Sequence, residues 1–530
     1  MTQSVANPFR VSTALLTLAI VLVAPSAARA QAVKLSPATM PVVGTVSERY
    51  QSYNIEMVEV TGGRFWAPYD AKTEDPAHAA QANPGGLAAT AFRYRPPIDL
   101  GNARLRKMAA ALGPAYVRVS GTWANSTYFQ DSDAPAPATP PKGFNGVLTR
   151  QEWRGVIDFA RAVNAQVVSS FAISAGVRDA NGVWTPVEAT KLLQYTKSIG
   201  GSIAAAEMFN EPTFASMGGA PQGYDAAAYG RDFRVFDAFV KKAAPKMIVL
   251  GPSSVAEVGA LSAGFPNAQM LHSEDMLKAE GPGLDAFSYH FYGAVSKRCT
   301  MLGPASQTSP EEALAEEWLF RTDRDEAFYA ALRDRFEPGK PMWLTETGEA
   351  ACGGNPWASD FMDSFRYLNQ LGTLARKGVK VVMQNTLASS DYALINGETM
   401  TPRPNYWSAV LWRRLMGTKV LDAGAATTPD LYVYAHCLRG HAGGVAVLAI
   451  NASRTAAREL ALPASAERYS LTADNLMDST VKLNGAELKL TAGGDLPAMA
   501  GAPEHAGNAA LAAESITFFA IPEAQNKACR

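Results

Sequence analysis

Residues 151–173, QEWRGVIDFARAVNAQVVSSFAI, contain the pattern from which the fold can be predicted. In Gln151–Val163 the apolar residues recur at three- and four-residue spacing with charges between them, as in an amphipathic helix. Gln166–Ile173 is a short apolar run with neighbouring valines, as expected of a buried strand. A helix followed directly by a buried strand is one repeat of an α/β fold.

The same alternation extends from Gln51 to about Met416. A second helical segment is predicted at Pro310–Leu332. The other strand candidates are Ser52–Met57, Ala115–Ser120, Ala204–Phe209, Met247–Gly251, Ala286–His290, Met342–Thr345 and Val379–Gln384. Together with Gln166–Ile173 they predict an α/β fold, the (β/α)₈ TIM barrel, whose active site lies at the carboxyl ends of the strands.

The pattern changes after about Gly417 to short alternating runs separated by Gly, Pro, Asn and Asp, which indicate an antiparallel β-sandwich. The predicted organisation is therefore a leader at 1–30, a strand within 31–50 that joins the sandwich, the barrel at 51–416 and the sandwich at 417–530.

The amino terminus has the order of a cleavable secretory signal: Arg10, an apolar run at Ala14–Val23, Pro25 and the small-residue triplet 28–30. The alternative is a membrane anchor, but the run is shorter than the roughly 20 apolar residues that span a bilayer. We expect a secreted or periplasmic protein that begins near Gln31 and has no membrane partner after cleavage.

Four cysteines in an exported chain can form two disulfides, and three pairings are possible. We expect Cys299 to pair with Cys352, joining two loops beside the proposed site, and Cys437 with Cys529, anchoring the tail. The alternative is buried free thiols. The formal charge is −1, and no long basic run stands out, so a nucleic-acid partner is not expected.

Two strand candidates end in a glutamate, in 205-AAEMFNEP-212 and 341-PMWLTETG-348. Retaining glycoside hydrolysis needs two carboxyl groups on opposite sides of one sugar, and two barrel strands that face the same mouth can supply them. Either glutamate alone could be a helix cap or a surface charge. As a pair they predict Glu211 as acid/base and Glu346 as nucleophile, with Asn210 beside Glu211 bonding the sugar 2-hydroxyl.

With these residues the sequence resembles the heparanase and β-glucuronidase family of glycoside hydrolases from about Gln51 to Pro522. The matching pieces are QSYNIEMVEVTGGRFW from Gln51, GPAYVRVSGT from Gly113, EMFNEP from Glu207, SYHFYG from Ser288, WLTETGEAACGG from Trp343, PNYWSAVLWRRLMGTKVL from Pro404, LTADNLMDSTVKLNG from Leu471 and ITFFAIP from Ile516. The resemblance implies the same roles for Glu211 and Glu346, and a hydrogen bond from Tyr292 to the nucleophile.

The resemblance also implies a set of substrate contacts. Glu56, Thr122 and Asn210 are expected to face the sugar ring, and Gly353, Gly354 and Tyr392 to meet its C5 carboxylate. Gln384 closes the eighth strand nearby, and His290, at another strand end, is a candidate for holding a sugar hydroxyl or an acid. Cys352, Gly353 and Gly354 form the predicted carboxylate loop. Cys352 stands where the family usually has glycine, so this loop departs from the family pattern.

No metal or organic cofactor is expected, since the sequence has neither an H-E-x-x-H motif nor a phosphate-binding loop. The predicted partner is a carbohydrate that carries glucuronic acid. Because the chain lacks clustered Lys and Arg, an exo-acting β-glucuronidase is favoured over an endo-acting, heparanase-like hydrolase of glycosaminoglycans. The remaining alternatives are a related glycosidase for a neutral sugar and a non-catalytic carbohydrate-binding protein.

Overall fold

Eight parallel strands close into a barrel in the computed structural model, which describes residues 1–2, 32–69, 89–264, 270–424 and 428–530. The strands are β1 (Gln51–Glu56), β2 (Ala115–Ser120), β3 (Ala165–Ser170), β4 (Ile203–Glu207), β5 (Ile248–Ser254), β6 (Ala286–Tyr292), β7 (Met342–Gly348) and β8 (Val381–Gln384). Each pairs with the next, and β8 pairs with β1. The predicted barrel is confirmed, and every predicted strand overlaps one of these eight.

Helices connect the strands around the outside of the barrel, as the repeated βα pattern requires. They are Met57–Thr61, Ala103–Ala111, Arg150–Ala162, Val187–Ser198, Ala226–Ala243, Gly259–Ala263, Ser273–Glu280, Glu316–Leu319, Arg321–Phe336, Phe361–Lys377 and Pro404–Leu415. The prediction of one helix at Pro310–Leu332 was wrong, because the backbone leaves helical geometry at Phe320. The ring of Phe320 packs edge-on against Tyr432 of the sandwich, with 5.1 Å between ring centroids.

The barrel interior changes from apolar to polar towards the mouth. The apolar layer is a buried cluster of Tyr116, Val168, Ala205, Leu250, Ala286, Trp343, Val381 and Met383. Because strand side chains alternate, Arg118 and Glu207 face the same interior as Tyr116 and Ala205, but two residues closer to the carboxyl ends. The fold therefore places charged groups at the mouth, above an apolar floor.

The second layer of the molecule is a β-sandwich, and it confirms the predicted fold class. Its larger sheet is antiparallel and nine-stranded, with Val42–Thr45, Met416–Leu421, Leu431–Leu438, Val445–Asn451, Ser515–Ile521, Ala466–Thr472, Lys482–Leu483 and Ala486–Glu487 in spatial order and Ala502–Glu504 beside Ala466–Thr472. The smaller sheet contains Val33–Lys34, Arg458–Leu462 and Gly507–Leu511. A second apolar core, including Val433, Val447, Leu460 and Phe519, fills the space between them.

Barrel and sandwich belong to one compact unit, residues 32–530. Tyr434 of the large sheet donates a hydrogen bond to Asn369 Oδ1 at 2.6 Å, and its ring lies over Gly372 on the helix Phe361–Lys377. A Cβ at Gly372 would lie 2.4 Å from that ring, so only glycine allows this approach.

Both predicted disulfides are confirmed: Cys299 is bonded to Cys352 and Cys437 to Cys529. Apart from residues 1–2, the predicted leader at 1–30 lies outside the described residues. Among the helices of the described ranges, none has the length and apolar character that crossing a membrane requires.

Short two-stranded sheets rise from the barrel around its mouth. Gly63–Trp66 pairs with Phe92–Arg95, Thr127–Gln130 with Gly146–Thr149, and Ile395–Asn396 with Thr401–Pro402. The first of these brings Trp66 to the edge of the mouth, stacked on Phe92 with 4.6 Å between ring centroids.

Candidate active site

A cavity of ≈ 170 Å³ opens at the carboxyl ends of the barrel strands. Its polar lining includes Glu56, Thr122, Asn210, Glu211, Tyr292, Glu346, Asn385 and Tyr392, and its apolar lining includes Trp66, Trp123, Phe214, Met217, Val255, Leu261, Val295 and Leu302. These residues come from segments far apart in the sequence, which the barrel brings to one edge.

Glu211 and Glu346 face each other across this cavity. One carboxylate oxygen of each lies within 4.8 Å of the other, and side-chain exposures of 19% and 8% leave both accessible from the cavity. Glu211 has a φ of +48°, a left-handed conformation that is uncommon for glutamate and is held by its surroundings. Next to it, the Asn125 side chain clamps the backbone of Asn210 with bonds of 2.8 and 2.9 Å.

Both oxygens of the Glu346 carboxylate are held. Tyr292 Oη donates to Oε1 at 2.7 Å, and Arg118 Nη1 donates to Oε2 at 2.8 Å. Asn385 Nδ2 lies 3.4 Å from the same Oε1. Charge-assisted bonds of this kind favour an ionised carboxylate with a fixed orientation.

Arg118 is the centre of a buried ionic network. Its guanidinium also donates to Glu207 Oε2 at 2.8 Å and to Asn210 Oδ1 at 2.7 Å, and both Arg118 and Glu207 are 1% exposed. Burial acts to raise the pKa of Glu207, but the Arg118 charge, together with the interactions of His290 and Thr345, lowers the pKa to about 2.

His290 connects the two facing acids. Its Nδ1 is 3.1 Å from Glu211 Oε1 and 3.7 Å from Glu346 Oε2, while Nε2 is 3.9 Å from Glu207 Oε1. Burial opposes protonation of the ring, but the surrounding carboxylates, Glu346 foremost, raise the pKa of His290 to about 9. The ring is therefore charged at neutral pH and donates to Glu211.

The environment of Glu211 favours its acid form. Burial raises the pKa of Glu211, and the negative charge of Glu346 acts in the same direction, whereas the hydrogen bond from His290 opposes them. An acid inclined to keep its proton, facing a carboxylate whose two oxygens are fixed by hydrogen bonds, is what acid/base catalysis beside a nucleophile requires.

Glu56 forms a third acidic wall of the cavity. Asn385 Nδ2 donates to its Oε1 at 3.0 Å and also contacts the hydroxyls of Tyr292 and Tyr392 at 3.0 and 3.1 Å. Burial, followed by the charge of Glu346, raises the pKa of Glu56 well above its usual range. A Cβ at Gly121 would lie 1.4 Å from Glu56 Oε2, so the absence of a side chain there makes room for this carboxyl group.

Comparison with known proteins agrees with this geometry. Residues 97–372 match the family model described as glycosyl hydrolase family 79, N-terminal domain. The chain belongs to glycosyl hydrolase family 79. It is therefore a glycoside hydrolase, and the predicted heparanase and β-glucuronidase resemblance is confirmed.

Individual relatives of this family 79 enzyme are distant. It is 28% identical to heparanase-like protein 1 of Arabidopsis thaliana over 456 residues, which cover 76% of this chain and 80% of that protein. It is 37% identical to baicalin-beta-D-glucuronidase of Scutellaria baicalensis over 165 residues, 30% of this chain and 31% of the other.

Among solved structures, a 4-O-alpha-L-rhamnosyl-beta-D-glucuronidase from Fusarium oxysporum 12S has a similar fold. The TM-score is 0.63 at 12% sequence identity, and the match covers 92% of this chain and 100% of the other. At this identity the similarity supports the fold alone.

Most of the substrate contacts predicted for the family 79 enzyme lie at the cavity. Glu56, Thr122, Asn210, Tyr292 and Tyr392 line it. His290 lies behind the two acids and is fully buried, so it is placed to hold Glu211 rather than a sugar hydroxyl.

Gln384 does not face the cavity. Its amide Nε2 donates to the backbone carbonyls of Asn385 and Tyr392, at 3.2 and 3.0 Å. The next residue, Asn385, supplies the polar side chain that faces Glu56, Tyr292 and Glu346.

Of the two predicted loop glycines, Gly354 already has its N–H bonded within the loop. Cys352 lines the cavity, whereas Gly354 N–H donates to the carbonyl of Ala350 at 3.1 Å. Gly353 packs on Trp66, where a Cβ would lie 2.6 Å from the tryptophan Cβ. In the described part of the chain, the backbone N–H groups of Cys352 and Gly353 have no acceptor.

Four further residues of the site were not predicted from the sequence: Arg118, Glu207, Asn125 and Asn385. A signal existed for the first two, because each is a charged residue inside an otherwise apolar strand segment, AYVRVS or AAAEMF. Asn125 and Asn385 follow strands in loops, and no pattern in the sequence distinguishes them from ordinary loop residues.

Glu211, His290 and Glu346 are also spaced closely enough to be candidate metal ligands. The Arg118 guanidinium, however, already lies 3.3 Å from His290 Nε2 and 2.8 Å from Glu346 Oε2. Its fixed positive charge would repel a cation at that position, so we assign the three residues to acid/base chemistry.

Proposed function

We propose that the protein is an exported retaining β-glucuronidase that removes β-linked glucuronic acid by double displacement. The observation that carries the proposal is the pair of carboxylate oxygens of Glu211 and Glu346, within 4.8 Å of each other. Retaining enzymes hold their two carboxyl groups about 5–5.5 Å apart, whereas inverting enzymes leave about 6.5–9.5 Å for a water molecule.

The roles follow from the environments of the two acids. Glu211, whose pKa is raised, protonates the glycosidic oxygen while Glu346 attacks the anomeric carbon and forms a covalent glycosyl-enzyme. Glu211, now a carboxylate, then removes a proton from the water that releases the sugar. Tyr292 and Arg118 fix the two oxygens of Glu346 for attack.

Specificity for a uronic acid is supported by the loop after Glu346. Cys352 and Gly353 have φ values of +62° and +84°, and their successive N–H groups have no acceptor in the described residues. Successive N–H groups of this kind form an anion-binding concavity without adding a charged side chain. The carbonyls of the same loop are occupied by Ser296, Arg298 and Ser390, which fixes its orientation.

Exo action on a terminal glucuronic acid is supported by the charges around the cavity. Within the described residues, the acidic side chains Glu56, Glu211 and Glu346 line it, and no Lys or Arg does. A groove for a long, negatively charged glycosaminoglycan would be expected to carry Lys or Arg.

The chemistry can be tested with 4-nitrophenyl β-glucuronide and two variants. Glu346→Gly and Glu211→Ala should each lower kcat by about a thousandfold. Azide should then give the α-glycosyl azide with Glu346→Gly, because a single displacement inverts the centre, and the β-azide with Glu211→Ala. The β-azide from Glu346→Gly and the α-azide from Glu211→Ala would mean that the two glutamates have the opposite roles.

A matched control is Glu317→Gln, which changes an exposed glutamate on an outer helix segment and should leave kcat unchanged. The sugar is tested by replacing the glucuronide with the xyloside and the arabinofuranoside. Faster hydrolysis of either neutral glycoside would reject the glucuronidase proposal, and binding without turnover of any of them would reject an enzymatic role for this cavity.

Export is proposed from the signal-like sequence at 1–30. The two disulfides support it, since disulfides persist in oxidising compartments. Amino-terminal sequencing of the protein recovered outside the cytoplasm should give a chain that starts near Gln31, and recovery of the intact leader there would contradict cleavage.

A further inference from the structure

The cavity has two chemically different halves. Polar groups contact Glu346, whereas the segment that follows Glu211 contributes the apolar side chains of Phe214 and Met217. Several of the apolar residues belong to one cluster, in which Val255, Leu261 and Val295 are buried and Phe214 and Leu302 are partly buried. A sugar ring needs the polar half, so the apolar half is left for another part of the substrate.

The position of the proton donor identifies that part. A general acid lies beside the leaving oxygen, so the leaving group, or aglycone, must occupy the side of the cavity next to Glu211. Phe214 and Met217 follow Glu211 directly in the chain and line the same cavity. Val255 lies beside them, because its backbone N–H donates to Thr213 Oγ1 at 3.1 Å.

Charge argues against a sulfated or uronate-rich leaving group on this side. No Lys or Arg is among the described residues that line the cavity, so a sulfate or carboxylate on the leaving group would have no cationic side chain to pair with there. Arg298 lies nearby, but its guanidinium is bonded to Asp391 and to the carbonyls of Cys352 and Gly354.

From this arrangement we infer that the enzyme prefers β-glucuronides whose aglycone is an apolar ring system. The inference rests on the proposed β-glucuronidase function. An aromatic ring in contact with Phe214 and Met217 would bury apolar surface, and the Phe214 ring favours stacked or edge-on contacts with it. The aglycone contacts then contribute to kcat/KM as well as to binding.

Leaving-group acidity must be separated from apolar contact, because phenol glucuronides react faster with any glycosidase. Benzyl and methyl β-glucuronide release alcohols of similar acidity and differ in the ring. The kcat/KM for benzyl β-glucuronide should exceed that for methyl β-glucuronide by about ten- to a hundredfold. Equal values would overturn the inference.

The Phe214→Ala/Met217→Ala variant tests the wall directly and should reduce the benzyl-to-methyl ratio to within about threefold of unity. The ratio is measured within one protein sample, so it does not depend on the fraction that folds. Met477→Ala is the matched control, since Met477 is 43% exposed on the sandwich and Met217 is 39% exposed at the cavity. An unchanged ratio in the double variant would overturn the inference.

A glucuronic-acid-terminated oligosaccharide, with and without sulfate, completes the panel. We expect slower turnover of both oligosaccharides than of benzyl β-glucuronide, and faster turnover of either would overturn the apolar-aglycone assignment. Turnover of benzyl β-xyloside in preference to both glucuronides would instead reject the proposed function while leaving the apolar wall as an aglycone site.

Discussion

Arg118 joins the proposed nucleophile Glu346 to the buried Glu207, with 2.8 Å between nitrogen and oxygen in each contact. One guanidinium therefore compensates two carboxylates that burial would otherwise disfavour as anions. The same group also holds Asn210, so the orientation of the nucleophile and that of the residue beside the acid/base depend on one side chain.

Replacing Arg118 with Met should cost about 3–5 kcal/mol of unfolding free energy and lower kcat at least a hundredfold, because two buried carboxylates lose their counter-charge. The folded-state pKa of Glu207 is about 2, below its usual 4.5, so the stabilisation it provides is present above pH 4.5 and disappears as the pH falls towards 2. The stability difference between wild type and variant should shrink over that range in urea titrations.

Arg178→Met is the matched control for Arg118. Arg178 forms a buried ion pair with Asp232 at 2.8 Å, away from the cavity lining. Its loss should destabilise the protein while the folded fraction keeps its kcat. A similar fall in kcat in both variants would mean that Arg118 acts only through stability.

His290 should shift the alkaline limit of activity, which the pKa of Glu211 sets. The charged ring stabilises the anionic form of Glu211, so it lowers the pKa that burial raises. His290→Gln removes the charge, which should raise the pKa of Glu211 and move the basic limb of the kcat/KM profile to higher pH. The measurement is kcat/KM for 4-nitrophenyl β-glucuronide from pH 4 to 9.

His436→Gln controls for loss of a buried histidine. His436 bonds the carbonyl of Gly417 at 2.6 Å in the sandwich, and burial lowers its pKa to about 4. This variant should leave the basic limb where it is. A basic limb that stays in place in His290→Gln would show that His290 does not act on Glu211.

The Cys299–Cys352 disulfide should keep the carboxylate loop in its binding conformation. Replacing both cysteines with Ser should raise KM for the glucuronide about three- to tenfold with a smaller effect on kcat, because ordering the loop would then oppose binding. Initial rates over a range of substrate concentrations separate the two parameters.

The Cys437→Ser/Cys529→Ser variant removes the other disulfide, which closes a longer loop within the sandwich. Each disulfide should contribute about 2–5 kcal/mol to stability. Only loss of the Cys299–Cys352 disulfide should change KM. An equal change of KM in both variants would contradict a specific role for that disulfide in substrate binding.

Much of the barrel could be predicted because the burial of each strand and helix determines the spacing of apolar residues within that same segment. The alternation that predicted Gln166–Ile173 as a strand is a local property, and barrel topology then brings Glu211 and Glu346 to the same mouth. The disulfide partners were predictable for the same reason, since they lie on loops that the topology makes neighbours.

Contacts that depend on loop geometry could not be predicted. Gln384 and Asn385 are adjacent polar residues at the end of a strand, and only the turn of the backbone decides which one faces the cavity. The apolar wall is a similar case, because Phe214, Leu261 and Leu302 come from three loops whose meeting is not visible in any one segment.

The order of strands in the large sheet also bears on synthesis of the chain. Ser515–Ile521, near the carboxyl terminus, lies between Val445–Asn451 and Ala466–Thr472, and Val42–Thr45 forms one edge. During synthesis this sheet stays open until Ser515–Ile521 has left the ribosome. A stop codon in place of Leu511 would delete this central strand and leave backbone N–H and C=O groups of both its neighbours without their hydrogen-bond partners.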